Sequence, residues 1–453
     1  MYPFYLYPIF DIIWNISGHL QRQRKRICHC KKVYMRHTLN LSIILFAMSM
    51  FLNACFKDRF TEHYSFYRPV YMTKGEVRAS ARSSAPLAVS HPGKLFIKGN
   101  HIFLNEVDKG IHIIDFSIPS SPKNIAFIKI PGCVDMAVRG NFLYADCYTD
   151  LVTIDISDPT KAVVKQFIEG VFPHRAYAWG FRADTSLIIT AWKRVDTVVR
   201  SSVSWSPGSL GGVLMADNRG LSSFASASSP GVQNGTGGSM ARFGLMDDRL
   251  YTVSWNDLKV FNTSNPSLPT FVKTLQFDQG DIETIFPYKD RLFIGSQSGM
   301  FIYDAANRDN PVKLGQFTHA RACDPVVADD THAYVTLRSN SRCTGVTNQL
   351  DVIDINTLSK PKLLKTYSLR EPAGLSKDGN LLFICDGKDG LKIYDATRPD
   401  NLIRLQTVGG METYDVIAFN KMAITVATDG LYIIDYSVPS QAKVTGKITL
   451  EKP

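Results

Sequence analysis

Several signatures of catalysis are missing from this chain. Its ten His are scattered, and neither a His-Glu-x-x-His pair nor a paired Cys-x-x-Cys supplies the ligand spacing of a zinc site. No Gly-x-Ser-x-Gly elbow presents a serine nucleophile. The cluster Gly235-Thr236-Gly237-Gly238 lacks a strand before it and a helix after it, so it reads as a mobile loop rather than a phosphate cradle. A membrane-spanning run is missing too. The apolar stretch at residues 39–54 has sixteen residues, short of the roughly 20 a spanning helix needs. Nor is there a concentrated excess of one charge. The formal net charge is +10, but residues 1–54 hold seven bases and one acid, and without them it falls to +4. A near-balanced chain carries no nucleic-acid footprint, so no nucleic-acid partner is expected.

What the amino-terminal region does contain is an export pattern. Residues 39–54 follow Lys31, Lys32 and Arg36 and have the length of a signal-peptide core. They end in Leu52-Asn53-Ala54-Cys55, which resembles the lipobox of bacterial lipoproteins. That resemblance implies that Cys55 is acylated and becomes the new amino terminus, with the lipid bilayer as its partner. Residues 1–34 fit a leader poorly, being aromatic-rich and broken by Pro3, Pro8 and Asp11, so Met35 is the expected start. Phe56 rather than Asp after the Cys accords, among lipoproteins, with export to the bacterial outer membrane or cell surface. The expected organisation is an extension at 1–34, a signal at 35–54, a tether at 55–90 and a repeat domain at 91–453.

The repeat domain rests on one phrase, Ile111-His112-Ile113-Ile114-Asp115, which recurs in runs ending at Asp155, Asn262, Asp304, Asp354, Asp395 and Asp435. Each copy is a β-branched run closed by a carboxylate or amide, then usually Ser, Asn or Thr and Pro: a strand entering a turn. A second column, in the preceding strand, holds Phe103, Tyr144, Ile188, Tyr251, Phe293, Tyr334, Phe383 and Ile424. Its spacings are 41, 44, 63, 42, 41, 49 and 41. The interval of 63 holds a Ser- and Gly-rich insertion at 201–242, carrying Trp205, Met215 and Phe224, and that of 49 a lengthened hairpin loop. Units of about forty residues and four short strands cannot bury both faces alone and must stack. The expected fold is all-β, a β-propeller of eight four-stranded blades with seven as the alternative. The phrase resembles the LVIVD repeat of secreted and surface-anchored bacterial proteins, over residues 91 to about 450. The resemblance implies a propeller-like fold and no defined activity.

Five Cys follow Cys55. Cys133 and Cys323 open the first strands of two units, while Cys147 and Cys343 lie at or beyond the ends of the next strands. Such ends meet in an antiparallel hairpin, so Cys133–Cys147 and Cys323–Cys343 are candidate bridges in an oxidising compartment. Cys385 reads as core. Charged residues recur where each first strand begins beside the channel: Lys94, Asp135, Arg242 and Asp415 in one column, Glu283 and Asp324 just before it, and His174, Arg175, Arg321 and Glu371 a few residues earlier. Convergent charges of both signs suit recognition of a polar ligand at the channel mouth, or else pair with one another and plug it. No cofactor is expected. Asp386-Gly387-Lys388-Asp389-Gly390 invites a structural Ca²⁺ but lacks the downstream Glu. The expected function is non-enzymatic: a lipid-anchored module binding a protein or glycan. The alternative is a hydrolase or lyase on an extracellular polymer or lactone, with Glu283, Asp324 and Asp415 around a channel cation.

Overall fold

The computed structural model describes residues 60–177, 181–201, 236–278, 280–319, 325–339 and 347–451. Cys55, Arg321, Cys323, Asp324 and Cys343 lie outside them, as does most of the 201–242 insertion. The chain divides into two compact units, 1–64 with 196–211, and 65–195 with 212–453. The second unit holds seven antiparallel sheets formed by consecutive strands, and is a seven-bladed β-propeller. The innermost strands of blades 1 to 7 are Pro92–Lys98, Met136–Arg139, Phe243–Met246, Ile282–Tyr288, Val326–Ala328, Pro372–Asp378 and Thr413–Phe419.

The ring therefore has the alternative count of seven rather than eight. Ile188, the extra member of the aromatic column, lies in the long strand Leu187–Ser201, which pairs with Phe60–Thr73 as a separate two-stranded ribbon. That stretch has the β-branched composition of a blade strand but lacks the turn that a closing Asp supplies. The segment expected as a tether is also structured. Thr73 and Glu76 form a capping box at the start of the helix Lys74–Ala79, whose Val77 enters the blade 2 core and whose Arg78 pairs with Asp150 at 2.6 Å. Arg82–Ser84 then adds a strand outside the outermost strand of blade 1.

The repeated phrase is the third strand of each blade. Ile111, Ile113 and Ile114, like their counterparts Leu431, Ile433 and Ile434, are buried on both faces because each blade is covered by a neighbour on either side. Burying each such side chain contributes about 1.5–3 kcal/mol, which no isolated blade could realise. The closing residue has a separate task. In all seven blades its side-chain oxygen accepts the backbone N–H two residues on, at 2.8–2.9 Å. The residue between donates its own N–H to the turn joining the first two strands, as Phe116 does to Asn100 and Tyr436 to Lys421. Asn262 performs the same capping as the six Asp, because the cap needs an acceptor and not a charge. Every blade also has a bulge at one place between its third and fourth strands, for instance between Ile113 and Ile114 and between Ile433 and Ile434.

The aromatic column fills the inter-blade cores: Phe103, Tyr144, Tyr251, Phe293, Tyr334 and Phe383 are fully buried. Where Tyr replaces Phe, the hydroxyl can reach the next blade. Tyr144 Oη donates to the Pro266 carbonyl at 2.8 Å, and Tyr251 Oη to that of Arg308 at 2.7 Å. The ring closes by packing: Leu95, Ile97, Ile102 and Leu104 of blade 1 share one cluster with Ile417, Ile424, Leu431 and Ile433 of blade 7. Glu451 N–H also donates to the Val89 carbonyl at 2.9 Å.

Candidate functional site

The charged column converges, but inside the hub rather than at an open mouth. Lys94 Nζ of blade 1 lies 2.8 Å from Asp135 Oδ2 of blade 2, with both side chains buried. Asp135 Oδ2 also accepts the Arg242 backbone N–H, and its Oδ1 that of Met136 at 2.7 Å. Burial pulls the Lys94 ammonium below its ordinary range, and the Asp135 carboxylate opposes that effect. Asp415 of blade 7 is buried with no side-chain partner among the described residues; only the neighbouring Val416 N–H opposes its burial. Burial pushes it up to about 8, so it is protonated at neutral pH. Burial also raises Glu283, against a hydrogen bond from Gln297 Nε2 at 2.9 Å. The Lys94 ammonium thus stands beside Asp135 where a counter-cation would otherwise sit.

The end of the insertion occupies the channel. Thr236–Gly237 pairs with the free inner edge of blade 1, opposite Ile97 and Phe96. Ser239 is fully buried and its Oγ accepts the Leu375 N–H of blade 6 at 2.7 Å. The carbonyls of Ala241 and Arg242 accept N–H groups from Ile285 of blade 4 and Val253 of blade 3, at 2.8 and 2.9 Å. Residues 236–242 thus tie five blades at the hub. The described part of the glycine cluster is a buried strand and its continuation, not a mobile loop: small residues let a backbone pass between crowded inner strands.

The remaining expected residues lie apart from this cluster. His174 and Arg175 are exposed in the segment after blade 2, and Glu371 is half-buried where blade 6 begins. Arg175 pairs with Asp108, donates to the Gly132 carbonyl at 2.9 Å and lies 4.7 Å over the Tyr148 ring. The expected Cys133–Cys147 bridge is not formed: both are free, buried thiols in the blade 2 core. Cys133 Sγ lies 3.7 Å from the Asp135 carbonyl and accepts from Asn105 Nδ2 at 3.5 Å, so each thiol packs as a small apolar group. Burial pushes the Cys147 thiol up to about 12 and raises Cys133 as well, which disfavours the thiolate. Cys385 is buried core as expected. In the Asp386–Gly390 turn, Lys392 Nζ sits against Asp386 and 3.0 Å from Asp389.

One recurring group escaped the sequence reading. Acids at the end of the second strand tie down the chain entering the first: Glu106 accepts the N–H groups of Ser90 and His91, Asp146 those of Val134 and Asp135, and Asp386 those of Arg370 and Glu371. Burial would raise Glu106, but hydrogen bonds from His112, Ser90 and Lys109 outweigh it and hold it far below the usual carboxylate range. An acid two or three places after the buried aromatic was the available signal. Among the described residues, no group of three or more His, Cys, Asp or Glu could hold a metal ion, and no helix is long and apolar enough to cross a membrane.

Comparison with known proteins gives a concordant result. The LVIVD repeat model matches residues 93–126, 133–167, 247–276 and 342–368, which fall in blades 1, 2, 3 and 5. No curated sequence matches the chain. Among solved structures, a structural-genomics protein from Lactobacillus plantarum is 11% identical, with 80% of this chain and 97% of that one covered at a TM-score of 0.49. BamB from Moraxella catarrhalis is 9% identical, with 73% and 80% covered at 0.42. The fold assignment stands on the sheet topology itself. The LVIVD repeat thus recurs four times along this chain, and the same cap closes every blade.

Proposed function

We infer that this propeller is a non-enzymatic binding module, held outside the cytoplasm by a lipid on Cys55, that presents its loop surface to a protein or glycan. The observation that carries the reading is the state of the hub. Lys94 and Asp135 neutralise each other, burial favours the neutral form of the Asp415 carboxyl, and residues 236–242 cross the hub. What remains for recognition is the outward surface, where His174 and Arg175 are exposed and Glu371 is half-buried. Rigid blades carrying variable loops are a common platform for such sites.

Two experiments test the two halves of this reading. Full-length protein expressed in a bacterial host should incorporate a palmitate analogue and lose it in Cys55→Ser; an unlabelled wild-type chain would refute the anchor. Glycan-array or purified-partner binding should fall when Glu371→Lys and Arg175→Glu are introduced together. Turnover of a polymer or lactone substrate by the purified protein would instead support the hydrolase or lyase alternative.

A further inference from the structure

We propose that the cleft beside the blade 2 hairpin turn is a binding site for a small carboxylate with an aromatic or alicyclic body. The cleft encloses about 410 Å³, within the range of roughly 300–1,000 Å³ found for small-molecule sites. Ile188 and Ile189 give it a buried apolar floor, and Tyr148, Tyr177 and Phe181 line its walls. His174, Arg175 and Arg182 also line it, and among the described residues none that lines it is acidic. The site is thus apolar below and cationic above, which suits an amphipathic anion.

Two features show that the cationic wall is built rather than incidental. Both protein hydrogen bonds of Arg175, to Asp108 and to the Gly132 carbonyl, use Nη2. The guanidinium is thereby fixed, and because both bidentate faces of the fork include Nη2, its Nη1–H donors offer a carboxylate single charge-assisted hydrogen bonds. Tyr148 sits at φ +55° in the hairpin turn, where Asp108 of blade 1 holds φ +66°. Asp adopts that conformation readily, whereas a bulky ring there is strained. The ring is held between the Arg175 guanidinium and Gly132, itself at φ +74°, where an added Cβ would come within 2.6 Å of the ring. The ring thereby forms a fixed wall of the cleft.

The carboxylate would meet Arg175 and Arg182, and its body would lie over Ile188 and Ile189. This site goes beyond the protein- or glycan-binding reading: it takes a small molecule, on part of the same surface. The test is calorimetric titration of the full chain with 2-naphthoate and with the uncharged 2-naphthamide. Fluorescence of Trp192, which packs 5.6 Å from Tyr177 and 5.4 Å from Phe181, provides a second readout. One saturable site for naphthoate is expected, with the amide and the Arg182→Glu variant each weaker by about tenfold or more. Arg182→Glu leaves the Arg175–Asp108 pair intact, and an unchanged melting temperature verifies its fold. Absence of saturable naphthoate heat, equal binding of the amide, or unaltered binding by Arg182→Glu would each overturn the proposal. Loss of the cleft site with glycan or protein binding retained would sink this inference alone; naphthoate binding without any macromolecular partner would sustain it while undoing the broader reading.

Discussion

Asp415→Asn should make the propeller more stable, and increasingly so as pH rises. The carboxyl is buried with no side-chain partner, and burial, opposed by the neighbouring Val416 N–H, raises it from 3.8 to about 8. In the unfolded chain it ionises near its ordinary value. Below that value both states hold the proton and the group is neutral to stability. Between there and about pH 8 only the folded state holds it, so stability is lost progressively as pH rises, and above pH 8 the loss is complete. At about 1.4 kcal/mol per pH unit over a window of about four units, the full effect is on the order of 5 kcal/mol. Asn keeps the shape and removes the titration. Urea midpoints for wild type and variant should coincide most nearly at pH 4 and diverge through pH 8. Asp146, raised by burial to about 6, and Glu283 titrate in both proteins and cancel in the difference. Parallel curves at constant separation would show that Asp415 is ionised in the folded hub, and the account of that hub would fail.

Three other outcomes follow from the same geometry. Lys94→Met leaves Asp135 buried without its ammonium partner and should cost about 3–5 kcal/mol in chemical denaturation, most of it recovered by adding Asp135→Asn; a double variant no better than the single would refute the pairing. Tyr144→Phe strands the Pro266 carbonyl and should lower stability by about 1 kcal/mol in chemical denaturation; an unchanged midpoint would refute the latch. Cys133, Cys147 and Cys385 are buried and free, so an aromatic disulfide reagent should titrate them only after denaturation and without prior reduction; a need for reductant at Cys133 and Cys147 would reinstate the bridge.

Part of this protein is written in its sequence because the information is local. A phrase that ends in Asp or Asn at a steady period specifies a strand and the Asx cap beyond it, and both involve residues close in the chain. The buried aromatic column was legible for the same reason, since one position per unit must fill the gap between neighbouring blades. Composition alone also separated Cys385, which is core, from any reactive role. The charged column too was visible, as an alignment of Lys94, Asp135, Arg242 and Asp415.

What the column does once the ring closes was not legible. Whether such charges face solvent or neutralise one another depends on the distance between blades far apart in sequence, and only closure brings Lys94 to Asp135 and leaves Asp415 without a side-chain partner. The blade count was ambiguous because residues 187–201 have strand composition in either setting; pairing with residues 60–73 removes them from the ring. The glycine cluster was misread because small residues serve a mobile loop and a crowded channel equally well, and burial in the hub decides between them. Tyr148 and Arg175 belong to different segments, and only their approach over Gly132 makes a cleft wall. Sequence periodicity thus fixed the unit and its turn, while long-range packing decided the number of units, the charge state of the hub and the place where a ligand could bind.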